Sequence, residues 1–278
     1  EEVAEKINHP KGLMNVENMN GMVMINRGDL RGAFTRYSKM LEIAEKNDFT
    51  RGKNIALLNI SGVLLKLKEF EKVLDNYYKL IPALEKNNDR KNLLFAYMNM
   101  AIAFAETKKF DSSYVYNQRA YDIALHFKEF QAQIQILDNL GNDFALQGTL
   151  DSAKHYYRKA LAVIEREKMY MYKDRVLLNL ARIKQAETPK DTTAIEFHRV
   201  LSTMDTTKSD ATLLFDTYLA MTNYFERAKK YDSAFYYLRM QNKYAKKIFN
   251  DTLSKNMNEM YVKYQTEIKL QKIDLLEK

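Results

Sequence analysis

Apolar residues recur at helical spacing along most of the chain, in stretches that few helix breakers interrupt. In the clearest stretch Leu137, Leu140 and Phe144 lie at i, i+3 and i+7, on one face of a predicted helix. A second helix is predicted after Gly148. Its inner face carries small and aromatic residues in turn, namely Ala153, Tyr156, Tyr157, Ala160 and Ile164. The pattern therefore predicts two helices joined by a short turn.

The helix-pair pattern repeats along the chain with a period of about 40 residues, a spacing typical of helical-repeat proteins. One asparagine recurs at this spacing, at Asn59, Asn99, Asn139 and Asn179. A large residue of the second helix recurs in the same way, at Tyr37, Tyr77, Asn117 and Tyr157. Self-similarity at this spacing indicates a solenoid, because one unit is too small to bury its own apolar face and stacks on its neighbours.

The spacing of the recurring residues resembles that of the tetratricopeptide repeat. The residues that carry the resemblance are Leu140-Gly141 and Phe144, then Leu150-Asp151 and Ala153, then Tyr156-Tyr157 and Ala160. The resemblance covers nearly the whole chain and implies an all-α fold, a right-handed superhelical solenoid of helix pairs. The family's usual period is about 34 residues, so a period of 40 implies helices about one turn longer.

The repeat register divides the chain into a solenoid at 1–251 and a C-terminal helix at 252–278. The solenoid comprises a partial helix at 1–9 and six repeats at about 10–49, 50–89, 90–129, 130–169, 170–208 and 209–251. Because residues 2–6 match 42–46, we expect the chain to begin inside a second helix whose earlier portion is absent. We expect Pro82 to bend or end its helix, because its ring clashes with the carbonyl of Tyr78.

The C-terminal segment has a narrower apolar pattern than the repeats. Spacings of four and three predict a heptad seam that packs on the last repeat or forms a weak homodimer, through Met257, Tyr261, Tyr264, Ile268, Gln271 and Leu275. Repeats followed by such a helix resemble the sensor region of membrane-anchored bacterial tetratricopeptide regulators, which have a histidine-kinase or DNA-binding output. That resemblance implies an extracytoplasmic sensing segment. The alternative is a soluble cytoplasmic adaptor that scaffolds a response regulator or an enzyme.

Composition argues against an enzyme, a cofactor and a nucleic-acid partner. The chain has no cysteine, which excludes disulfides and thiolate nucleophiles, and its four histidines lie too far apart in sequence for a metal motif. The net charge of +8 is spread along the chain, without the basic stripe that nucleic acid requires. No apolar run is long enough for a membrane span, so membrane contact is expected only through flanking sequence. A protein or peptide partner is the remaining expectation.

The family resemblance implies a peptide-binding groove on the concave side, which the first helices line. Its apolar part would be Ile55, Leu58, Gly62, Leu65, Phe95, Met98, Ile102 and Ala105. Its polar part would be Asp138, Asn142, Arg175, Arg182, Gln185, Asn223 and Arg227. This combination suits an amphipathic helix or an extended peptide. The alternative for the apolar part is burial between repeats. For the asparagine series we expect bridging of neighbouring helices, with ligand binding as the alternative.

Overall fold

A computed structural model of the chain describes residues 9–187, 192–204 and 210–249. These residues are almost entirely helical, and no strand occurs among them. They form two compact units, divided between Ile183 and Lys184, which are described separately below. The predicted all-α solenoid of helix pairs is confirmed.

The described part of the first unit consists of four antiparallel helix pairs and the beginning of a fifth. The first helices of the pairs are α1 (Pro10–Arg27), α3 (Thr50–Lys66), α5 (Arg90–Glu106) and α7 (Phe130–Leu146). The second helices are α2 (Leu30–Lys46), α4 (Phe70–Lys86), α6 (Phe110–His126) and α8 (Leu150–Glu167). A 3₁₀ turn at Tyr170–Tyr172 then leads into α9 (Lys173–Glu187), whose last residues belong to the second unit.

Every turn between successive helices of the first unit has one geometry. A residue in the left-handed region follows each helix, at Gly28, Asp48, Lys68, Asn88, Lys108, Lys128, Gly148 and Lys168. The next residue donates its backbone N–H to a carbonyl five residues earlier, as from Phe49 to Ala44 at 2.9 Å. This is the Schellman arrangement, which satisfies carbonyls at the helix end. The turns recur at half the period of the sequence repeat, so each repeat contains two structurally similar halves.

Close contact between the two helices of a pair requires a small residue opposite a large one. A Cβ added to Gly141 would lie 2.4 Å from Cε1 of Tyr157, and one added to Gly21 would lie 2.3 Å from Cε1 of Tyr37. Tyr157 and Tyr37 are buried. The glycines therefore allow a tyrosine ring of the second helix to pack directly on the backbone of the first.

The first helices form the inner layer of the stack. Consecutive first helices touch each other from α1 through α7. In the described part of the chain, consecutive second helices make no contacts of that extent. A buried apolar core runs from α2 to α7 between the layers, and a second cluster joins α7, α8 and α9.

The helix α4 continues through Pro82 to Lys86, so the expectation that Pro82 ends the helix is wrong, while a bend at Pro82 stays a prediction. A proline removes one backbone hydrogen bond and leaves the other bonds of the helix in place. Leu80, Ile81 and Leu84 are buried around it. Their packing anchors the turns on both sides of the proline, which explains why the helix persists.

The second unit is also helical and is rich in aromatic contacts. It contains α10 (Thr192–Thr203), α11 (Ala211–Arg227) and α12 (residues 231–249). The rings of Phe225 and Tyr237 stack with centroids 5.2 Å apart, and those of Tyr218 and Tyr244 stack at 5.5 Å. Aromatic stacking between α11 and α12 therefore holds this pair together.

Two predictions fall outside the described residues. One is the partial helix at the start of the chain, at 1–9, of which only residue 9 is described. The other is the C-terminal seam of Met257, Tyr261, Tyr264, Ile268, Gln271 and Leu275. Both remain predictions.

Two glycine substitutions test the close packing within a pair. Gly141→Ala should lower the free energy of unfolding by about 1–3 kcal/mol, because the new methyl group would clash with the Tyr157 ring. The matched control is Gly62→Ala, where an added Cβ meets no atom within 4 Å. That change should stabilise α3 by about 0.5–1 kcal/mol through better helix propensity. Urea unfolding measures both, and equal shifts would contradict the packing argument.

Candidate functional site

Two clefts open at opposite ends of the groove between α5 and α7, and we call the whole feature the α5–α7 groove. The apolar cleft, of about 430 Å³, lies at the N-terminal ends of these helices. It is lined mainly by Leu94, Phe95, Met98, Ile123, Phe127 and Ala132, with polar residues around them. The polar cleft, of about 490 Å³, lies at the C-terminal ends. Its polar lining includes Ser113, Asn117, Asn139, Asn142 and Asp143.

The apolar cleft presents two phenylalanines to solvent. Phe95 is 50% exposed and Phe127 is 51% exposed, whereas Leu94 and Ile123 beneath them are buried. Covering aromatic surface of this kind is favourable, because apolar area leaves water. The apolar cleft can therefore receive an apolar side chain of a partner.

The polar cleft contains a buried chain of three polar side chains. Ser113 donates its Oγ–H to Oδ2 of Asp143 at 2.5 Å, and Asn117 donates from Nδ2 to Oγ of Ser113 at 3.3 Å. All three residues are at least 95% buried. Oδ1 of Asn117 has no hydrogen-bond partner within the described part of the chain. Two acceptors, Asp143 and Asn117, are thus held together by one serine.

Burial raises the pKa of Asp143 from 3.8 to about 6, and the hydrogen bond from Ser113 opposes that rise. The other charged residues that line the polar cleft are Glu106 and Lys108. The pKa shift means that burial disfavours the ionised form of the Asp143 carboxyl group.

A second polar network lies beside the polar cleft and joins α7, α8 and α9. Asn179 donates from Nδ2 to Oδ1 of Asp138 at 2.9 Å, and Tyr157 donates its hydroxyl to Oδ1 of Asn142 at 2.8 Å. Burial raises the pKa of Asp138, while Asn179 and the charge of Arg175 lower it. These bonds connect three helices and fix the orientation of Asn142 at the edge of the cleft.

The predicted apolar groove residues are divided between several environments. Phe95 and Met98 line the apolar cleft, whereas Ile102 and Ala105 line the polar cleft. Met98 is only 8% exposed and its side chain packs in the core between repeats, as the alternative of burial expects at this position. The remaining members lie half-buried on α3, namely Ile55, Leu58, Gly62 and Leu65. Ile55, Leu58 and Leu65 pack against core clusters.

The predicted polar groove residues belong to both units. Asp138 and Asn142 share the network beside the polar cleft, and Arg175 and Arg182 are exposed on α9 of the same unit. The other three belong to the second unit. Gln185 is half-buried on α9, and Asn223 and Arg227 are exposed on α11.

The bridging role predicted for the asparagine series is confirmed at three positions. Asn59 donates to Oδ1 of Asn18 at 2.8 Å, Asn99 donates to the hydroxyl of Tyr77 at 2.7 Å, and Asn179 donates to Asp138 as described above. Asn139 instead lines the polar cleft.

Sequence reasoning missed the three residues at the base of the polar cleft, although the repeat register contains a signal for each. Ser113 stands where the other pairs have Ala33, Val73 and Ala153. Asp143 stands where other first helices have Val63, Ala103 and Ile183. Asn117 replaces the tyrosine of the other pairs. All three departures introduce buried polarity, and the fold brings them together at one place.

The described residues contain no group of three or more His, Cys, Asp or Glu side chains arranged to hold a metal ion. None of the helices that the structure describes combines the length and the apolar character that a membrane span requires.

Comparison with solved structures identifies the fold as a tetratricopeptide-like helical repeat. The apo form of RapI aligns with a TM-score of 0.68 at 15% identity, over 86% of this chain and 85% of that chain. BtubC (BKLC) from P. vanneervenii gives 0.62 at 15%, over 79% and 92%. A Rap protein complexed with competence and sporulation factor gives 0.60 at 14%, over 86% and 76%. No family model and no curated protein matches the sequence.

The raised pKa of Asp143 makes a prediction about stability and pH. Because the folded state binds the proton more tightly than the unfolded chain, the free energy of unfolding contributed by this group should fall as pH rises from about 4 through about 6. Asp143→Asn should remove this loss, so the variant should be more stable than the wild type at pH 7.5 and converge with it near pH 4. Exposed Asp75→Asn is the control. Parallel urea midpoints for wild type and Asp143→Asn across this range would contradict the assignment.

Proposed function

We propose that the first unit is a non-enzymatic module that binds a protein or peptide segment in the α5–α7 groove. The observation that carries the proposal is the pair of open clefts at the two ends of one groove on the inner layer of the stack. One cleft offers exposed aromatic rings and the other offers hydrogen-bonding groups. A peptide can use both at once, whereas the described residues supply no metal cluster for chemistry.

The length of the groove suggests the size of the bound segment. Phe95 in the apolar cleft and Ala105 in the polar cleft are ten residues apart on α5, which corresponds to roughly 15 Å at 1.5 Å per residue. An extended peptide covers about 3.3 Å per residue, so roughly five residues would span this distance. We therefore propose a short extended segment that places an apolar side chain at one end and a polar one at the other.

The structural comparisons support this proposal to a limited extent. One of the similar structures is a Rap protein complexed with competence and sporulation factor, so one protein with a similar fold is known to bind such a factor. At 14% identity the similarity extends to the fold, and the argument for binding in this chain comes from its own clefts.

We further propose that the chain is the extracytoplasmic sensing segment of a membrane-anchored bacterial regulator. The support is the heptad pattern of 252–278 after the repeats, which resembles the region leading to the membrane in such regulators. Protease treatment of spheroplasts, prepared from cells that express the whole protein, tests this location because any outer membrane has been opened. Digestion of the repeats while the cytoplasmic membrane stays intact is expected, and complete protection would contradict an extracytoplasmic position.

Peptide binding can be tested with fluorescein-labelled pools of random pentapeptides, measured by fluorescence polarisation. The wild-type chain should bind detectably to at least one of these pools. Phe95→Ser should weaken that binding about tenfold, because about 1.4 kcal/mol of aromatic contact is lost. Phe34→Ser is the matched control, since Phe34 is 38% exposed on α2 and lines neither cleft. Equal losses in both variants, or no binding by the wild type, would contradict the groove.

A further inference from the structure

The base of the polar cleft exists because the third repeat departs from the others. In the other pairs a tyrosine fills the corresponding space, and Tyr77 and Tyr157 are fully buried there. Asn117 replaces that ring with a much smaller side chain. Asn99 donates to the hydroxyl of Tyr77, and its counterpart one repeat later, Asn139, lines the polar cleft instead. The missing ring therefore leaves open space between α5, α6 and α7.

The polar residues at this place do not stabilise the fold in any evident way. Burying a carboxylate costs several kcal/mol unless a cation or several donors compensate for it. Within the described part of the chain, Asp143 receives one side-chain hydrogen bond, from Ser113, and forms no ion pair. The other repeats hold Val63 and Ala103 at the same position. Their presence shows that an apolar side chain suits this position in the repeat.

The directions of the hydrogen bonds show that the base of the polar cleft lacks hydrogen-bond donors. Ser113 has one proton and donates it to Asp143, so its oxygen can only accept from Asn117. This orientation directs Nδ2 of Asn117 toward the serine and leaves Oδ1 without a donor. The two acceptors at the base are thus Asp143, with spare lone pairs, and Asn117. A complementary ligand must supply N–H or O–H donors, and a positive charge would match the carboxylate.

We propose that the polar cleft receives a basic side chain, arginine or lysine, of the peptide bound in the α5–α7 groove. This inference rests on the proposed function. Arginine and lysine carry donors and no acceptor, so they complement a base made of acceptors. The cleft volume of about 490 Å³ is many times the ~30 Å³ of a water molecule, which leaves room for a long side chain. Of the two charged residues near the mouth, Glu106 would attract this side chain and Lys108 would repel it.

The test uses the whole chain and labelled pentapeptide pools in which one position is fixed as Arg, Lys, Leu or Glu and the others are random. Each of the five positions is fixed in turn. We expect the best Arg and Lys pools to bind about tenfold more tightly than the matching Leu pool, since a charge-assisted hydrogen bond contributes on this scale. Leu or Glu pools that bind as tightly as the basic ones would overturn the proposal.

Two variants introduce the residues that other repeats have at the same positions. They test whether the preference for basic residues depends on the polar cleft. Asp143→Val copies Val63 and should abolish the preference for basic residues, so that the Arg, Lys and Leu pools bind with similar affinity. Asn117→Tyr copies Tyr77, should fill the cleft and raise the melting temperature by roughly 2–4 °C, and should also abolish the preference. Exposed Asp75→Val is the control for loss of negative charge. A preference that survives in both cleft variants would overturn the proposal.

The outcomes separate this inference from the proposed function. Pools that bind without any preference for a basic residue would reject the basic pocket and leave the groove standing. Failure of every pool to bind would reject both.

Discussion

The whole first unit depends on how closely the two helices of each pair can approach. A small residue on the first helix faces a large ring on the second, and the distance between Gly141 and the Tyr157 ring leaves no room for even a methyl group. This contact fixes the spacing within a pair, and stacking of similar pairs then produces a continuous core. Turns of one geometry after every helix keep each pair the same length, so the contact recurs in register along the chain.

The candidate site arises where this contact is relaxed. In the third pair Ala101 faces Asn117 instead of a tyrosine, and the space that the ring would occupy becomes part of the polar cleft. Buried polar groups then replace the apolar residues of the other repeats, at a cost in stability. A protein that retains such a local weakness at the junction of two repeats has a site where binding can compensate for the energetic penalty.

The fold could be predicted from the sequence because its signal is repeated. The asparagine and tyrosine series each recur several times at the same spacing, so one atypical residue does not hide the pattern. The site could be predicted only in part. Phe95 and Ile102 could be named as candidate groove residues because they lie on first helices, whereas Asp143 and Ser113 belong to series that are otherwise apolar and that therefore predict core positions. The burial of Met98 and the continuity of α4 through Pro82 depend on packing between repeats, which periodicity within one helix does not report.

The uniform turns determine which insertions and deletions of helices the fold can accept. Because the geometry after a first helix matches that after a second helix, removing one helix together with its turn would leave acceptable turns on both sides. The remaining helices would nevertheless exchange layers, with every outward face now turned toward the groove. Viable changes in length are therefore restricted to whole helix pairs, and the spacing of clefts along the inner layer changes only in steps of one pair.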